Sequence, residues 1–150
     1  MYRQLDFINK ICSNFEYWSN ADVIAVAVER YQKFIKMMAA AYGRGFNFVP
    51  TLDIDLAWHA HQSDHEIYKQ YCSDLFRKVG VDTFDTLIDH DDSIGASDLE
   101  KGYATTYVRW SRLYKEPYSP YKPSYEAWMR GRKVQSASYL LTTSSLLTHY

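Results

Sequence analysis

Residues 53–65 read DIDLAWHAHQSDH and hold three histidines, three aspartates and a tryptophan. Imidazole and carboxylate together suit divalent metal binding and proton transfer near neutral pH. Spacing limits how they can cooperate. On a helix each residue turns by about 100°, so His59 and His61 diverge by about 200° and cannot both face one ion. Asp55 and His59 stand four positions apart and share a face, so the carboxylate can hold one imidazole nitrogen while the other points outward. His61 and His65 share a second face with Trp58, Tyr68 and Cys72, which reads as the side turned to the core. A second cluster, IDHDD at residues 88–92, adds His90 beside Asp89, Asp91 and Asp92. If folding carries His90 to His59, two imidazoles and a carboxylate make a ligand set suited to zinc, iron or manganese with positions left open. The expected site residues are therefore Asp55, His59, His61 and His90, with His59, His90 and Asp91 as the metal ligands. The sequence leaves the cofactor open; a divalent transition metal such as zinc is the one these residues would suit.

These residues must be positioned by helices. Leu5, Ile8, Ile11, Cys12 and Phe15 recur at spacings of three and four, which predicts a helix over residues 3–16. Ser19 or Asn20 can cap the next helix, whose apolar stripe runs from Val23 to about Ala41, and Gly43 and Gly45 end it. Phe46 to Pro50 reads as an extended link into a third helix that starts near Thr51 or Asp53. Residues 81–92 read as a short helix followed by a polar loop. SDLE at residues 97–100 is a capping box that opens a helix to about Lys115, with Leu99, Tyr103, Tyr107, Trp110 and Leu113 or Tyr114 inward. A short helix is expected from Pro123 or Ser124 through Met129. Residues 134–150 are rich in Ser, Thr and Leu and read as a tail or an added helix. The expected architecture is all-α: a compact bundle of about five to six helices forming one domain over residues 1–133.

Bulk properties remove several function classes. The chain has 150 residues and a formal net charge of −1, with no basic stripe, so no nucleic-acid partner is expected. No apolar run is long enough to span a membrane, and MYRQLDFINKIC lacks the apolar core of a signal peptide. Cys12 and Cys72 are the only cysteines, and such isolated residues read as buried thiols in a cytoplasmic, reducing setting. There is no GxSxG, phosphate loop, GxGxxG or CxxC, so the commonest hydrolase, nucleotide and dinucleotide chemistries have no support. Aromatics make 17% of the chain, 14 of them tyrosines, which can serve core, rim and binding surface alike.

ERYQKFIKMM, FVPTLDIDLAWHAHQ, IYKQYC, IDHDD and YATTYVRWSRLYKEPY, in that order, resemble the glycine-rich domain-containing protein-like family over about residues 29 to 118. DIDLAWHAH is the most specific of these segments. The resemblance implies a conserved helical domain and candidate positions at Arg30, Tyr31, Phe34, Pro50, Asp53, Asp55, Trp58, His59, His61, Tyr68, His90, Asp91, Asp92 and Tyr118. It does not imply a reaction. Relatives tend to place proline near His65, which implies that one helix ends near Gln62 and another starts near Asp64. The direction of His61, in a last turn, would then be less constrained than an ideal helix requires. The glycine-rich and other C-terminal parts of larger relatives are not expected to contribute here.

Two functional readings follow. In the first, Asp55, His59, His61, His90 and Asp91 or Asp92 line a polar pocket that binds a metal or a small polar ligand and supports acid–base or hydrolytic chemistry. In the second, a non-catalytic module interacts with a protein partner. There Asp53, Asp55, His59 and His90 form a structural hydrogen-bond network, Arg30 is the counter-ion to Asp53 or Asp55, and Tyr118, Tyr121 and Tyr125 form the exposed contact surface.

Overall fold

The computed structural model describes residues 2–82, 86–90 and 94–118. Among these the chain forms six helices and no strand: α1 Tyr2–Ser13, α2 Phe15–Trp18, α3 Ala21–Ala40, α4 Leu52–Gln62, α5 His65–Val79 and α6 Ala96–Tyr114. The all-α architecture expected from helical spacing and scarce breakers is the one observed. Asp91, Asp92, Tyr121, Tyr125, the helix expected after Pro123 and residues 134–150 lie outside the described residues.

The central element is α3, which packs against α4 and α5. Asn20 starts it, its side chain accepting hydrogen bonds from the backbone of Asp22 and Val23. Phe34, Ile35 and Met37 of α3 meet Ile54 and Trp58 of α4, Cys72 and Phe76 of α5 and Trp110 of α6 in the main core. A smaller cluster joins Tyr17, Trp18, Val23 and Leu52. The extended link over residues 46–50 is tied down from both sides. Thr106 Oγ1 of α6 accepts from the Val49 amide at 2.9 Å, and the Tyr118 hydroxyl donates to the Val49 carbonyl at 2.9 Å. Helix α6 can come this close because Gly102 has no Cβ: one placed there would meet Val49 Cγ2 at 2.8 Å and the Asn47 carbonyl oxygen at 3.0 Å.

Several local expectations are corrected. The single helix expected over residues 3–16 is divided between α1 and α2; Leu5 and Ile8 are about half exposed and Phe15 more so, while Phe7 and Ile11 pack on the smaller cluster. Cys12 is exposed, whereas Cys72 is buried, and both thiols are free. Ser97 does not cap α6. The helix begins at Ala96, its N-cap is Gly95 with no side-chain cap bond, and Ser97 already lies inside the first turn. Tyr107 and Leu113 of α6 are exposed, because the buried face runs through Leu99, Gly102, Thr106 and Trp110. Residues 86–90 are not helical. The carbonyl of Ile88 is taken by the Tyr68 hydroxyl at 2.5 Å rather than by a backbone amide. His65, at the start of α5, is exposed and does not face the core. Tyr118 is 2% exposed, so it belongs to the core and not to a contact surface.

Candidate metal centre

The site is assembled by α4 and the segment over residues 86–90. Asp55 lies in the first turn of α4 and His59 one turn later, on the face that the four-residue spacing predicts. Asp55 is buried and its Oδ1 stands 3.7 Å from His59 Nε2. His90 arrives from the other side, and its Nε2 donates to the same Asp55 oxygen at 2.6 Å. The two imidazoles lie 4.7 Å apart, centroid to centroid. One donor atom each from Asp55, His59 and His90 falls within 4.8 Å of the others. In a tetrahedral zinc site, metal–ligand distances of about 2.0–2.1 Å place ligand atoms about 3.4 Å apart. To close on one ion the side chains would have to shift, and His90 Nε2 would have to give up the proton it shares with Asp55. Two neutral imidazoles and a carboxylate also match the donor preferences of zinc and iron.

A chain of buried hydrogen bonds fixes the approach of His90. Trp58 Nε1 donates to the Tyr68 hydroxyl at 2.9 Å, and that hydroxyl donates to the Ile88 carbonyl. Helix α5 is thereby bridged to α4 and to the segment that ends at His90. Trp58 also meets the His90 ring edge-on at 4.6 Å. Phe7 of α1 covers His59 with ring centroids 4.9 Å apart. None of this bracing was foreseen. The sequence held a signal for it, since the polar tips of a buried Trp and Tyr require partners, but not the identity of those partners.

His61 is not brought to the cluster. Its Nδ1 lies 2.8 Å from the Tyr31 hydroxyl, and its ring stands edge-on to Tyr68 and Tyr71. Helix α4 does end at Gln62, and Asp64 caps α5, as the resemblance implied. His61 nonetheless keeps the direction that the ideal helix gives it. Burial lowers its pKa, against the opposing charge of Asp64.

Arg30 pairs with Asp53 and not with Asp55. Its Nε donates to Asp53 Oδ2 at 2.7 Å, its Nη2 donates to Thr51 Oγ1 at 3.1 Å, and Thr51 donates to Asp53 Oδ1 at 2.6 Å. Burial pushes the Asp53 carboxyl up, while Arg30 and Thr51 pull it back. This pair anchors the start of α4 to α3 and leaves Asp55 to the histidines.

The cluster opens on a cavity of about 190 Å³. Asp55, His59, His90 and Asp89 occupy part of its lining, Gln4 and Asn47 add amides, and Phe7, Phe48, Trp58 and Leu99 are among the apolar residues there. A metal held by the three ligands would therefore have its free positions on the side of this cavity.

Comparison with known proteins supports the resemblance read from DIDLAWHAH. Residues 1–74 match the family model described as Glycine-rich domain-containing protein-like. It is 33% identical over 98 residues to Glycine-rich domain-containing protein 2 of Arabidopsis thaliana, covering 61% of this chain and 11% of that protein. It is 29% identical over 106 residues to Glycine-rich domain-containing protein 1 of the same plant, covering 66% of this chain and 12% of that protein. The chain thus spans a small fraction of the length of these curated relatives. No solved structure matches it. No helix among the described residues is long and apolar enough to cross a membrane.

Proposed function

We propose that Asp55, His59 and His90 bind one divalent transition metal ion, zinc being the best fit, and that the domain supports metal-assisted acid–base or hydrolytic chemistry in the adjoining cavity. The observation that carries this reading is the convergence of two imidazole Nε2 atoms on one carboxylate oxygen at 2.6 and 3.7 Å, at the edge of a cavity. Three protein ligands leave at least one coordination position for water or substrate, the arrangement of catalytic rather than structural zinc. A metal so held would lower the pKa of a bound water towards neutrality. Asp89, which also lines the cavity, would be the carboxylate available to accept a proton there. His61 has no place in this proposal, because its ring is engaged by Tyr31.

One observation favours a second reading. The direct bond at 2.6 Å between His90 and buried Asp55 satisfies both groups without a metal, as a structural lock would. Elemental analysis of untagged protein separates the two. The metal reading expects about one transition metal per chain, lost in both His59→Ala and His90→Ala with the helical content retained. Metal-free protein in which His90→Ala lowers stability while His59→Ala does not would establish the lock and sink the metal reading.

A further inference from the structure

We infer that the cavity beside the cluster accepts a small aryl compound with a single chelating head, neutral or singly charged, in preference to a phosphate or a dicarboxylate. The inference rests on the metal reading above and adds the class of ligand.

Size is the first argument. The cavity measures about 190 Å³, and a protein cavity of about 150 Å³ is known to hold one benzene. One ring and a short polar head fill this space.

The second argument is the character of the walls. Phe7, Phe48, Trp58, Ile94 and Leu99 face the cavity, and rings among apolar and aromatic side chains gain both burial and edge-to-face contacts. The titratable groups of the lining are Asp55, His59, Asp89 and His90, Gln4 and Asn47 add amide side chains, and the remaining walls are apolar, so a ligand has one chelating end and one largely apolar end.

Charge supplies the third argument. Asp55 and Asp89 are both on the lining, and among the described lining residues there is no lysine or arginine. Arg109 stacks on Phe46 at 4.5 Å, and Arg30 is held by Asp53. A divalent ion next to Asp55 leaves one positive charge for the ligand, and Asp89 offsets that. A second anionic group would meet no lysine or arginine among the described lining residues.

The test uses the whole chain. Zinc is titrated first by calorimetry. The zinc-loaded protein is then titrated with benzohydroxamate, acetohydroxamate, malonate and inorganic phosphate. The two hydroxamates share a chelating head and differ in the ring. Benzohydroxamate should bind about tenfold more tightly than acetohydroxamate or better, from burial of the ring, and malonate and phosphate should bind more weakly than either. Phe48→Ala should reduce the preference for the aryl compound severalfold at unchanged zinc affinity. Equal binding of the two hydroxamates, tighter binding of malonate or phosphate, or an unaltered preference in Phe48→Ala would overturn the inference while the metal site stands. A protein that takes up no zinc would overturn the metal reading and the inference with it.

Discussion

The Tyr68 hydroxyl accepts from Trp58 and donates to the Ile88 carbonyl, so Tyr68→Phe leaves two buried polar groups without their partner. Each such loss costs on the order of 1–3 kcal/mol. The variant is expected to lose about that much in urea denaturation. It should also weaken zinc binding roughly tenfold, as removal of outer-shell support for metal ligands commonly does. A variant that loses stability at unchanged zinc affinity would show that His90 is held by its own contacts alone. The Arg30–Asp53 pair gives a second test. With side chains 2% and 6% exposed, either charge left alone is expensive, and Asp53→Ala is expected to cost about 3 kcal/mol. Arg30→Met combined with Asp53→Leu should restore most of that, because two apolar groups leave no uncompensated charge; a double variant no more stable than the single one would argue against a charge-burial cost. At this scale the sequence was informative where spacing decides direction. Asp55 and His59 share a face, His59 and His61 diverge, and Cys72 is a buried small hydrophobe, as read. The choice of Asp53 over Asp55 by Arg30 was open, since either carboxylate fits the charge and only the approach of α3 selects between them.

Helix boundaries were legible where a side chain acts on its own backbone and not where tertiary packing sets the end. Asn20 accepts two amide hydrogen bonds at the start of α3, and Asn20→Ala is expected to cost about 1 kcal/mol. Ser97 looks like an equally good cap in SDLE but is already inside α6, so Ser97→Ala should change stability by less than about 0.5 kcal/mol. Thermal melts of the two variants side by side check both expectations, and a costly Ser97→Ala would restore the capping box. Gly102 explains why the packing prevails. In a helix interior Gly→Ala ordinarily stabilises by up to about 1 kcal/mol. Here the new methyl would meet Val49 and the backbone of Asn47, so Gly102→Ala should instead destabilise by about 1–3 kcal/mol. The strain falls on residues 46–50, several of which line the cavity. Nothing in the period of α6 singles out that glycine, because its role is set by a segment more than fifty residues away in the chain. In α1 packing likewise decides which apolar residues are buried. Periodicity gives the existence of an apolar face but not its burial, and α1 turns Phe7 to His59 while Leu5 and Ile8 stay outside.

At the scale of the molecule, the core combines aliphatic side chains with rings that carry polar tips. Tyr31, Tyr68, Tyr103, Tyr114 and Tyr118 each find a hydrogen-bond partner, several of them on another helix or on the link. This is how a chain of 150 residues with 14 tyrosines can bury so many without stranding hydroxyls. The all-α class was legible from helical spacing. The convergence of residues 55, 59 and 90 was only conditional in the sequence, because the segment that delivers His90 has no periodicity and is placed by Tyr68. The tyrosine core has a consequence for pH. Burial raises the pKa of Tyr103, Tyr114 and Tyr118 above the ordinary value of 10.0. Below that value these groups are protonated in both states, and their contribution to stability is fully present. Above it the unfolded chain releases protons that the folded chain still holds, so stability falls as pH rises towards the folded-state values. The melting temperature should therefore be insensitive to tyrosine ionisation up to about pH 9 and drop steeply above about pH 10. The tyrosinate absorbance of the buried rings and the loss of helical circular dichroism should then appear together. Full ionisation of the tyrosines with helicity intact would mean that the rings reach solvent without unfolding, and that the polar-tipped core does not hold the helices together.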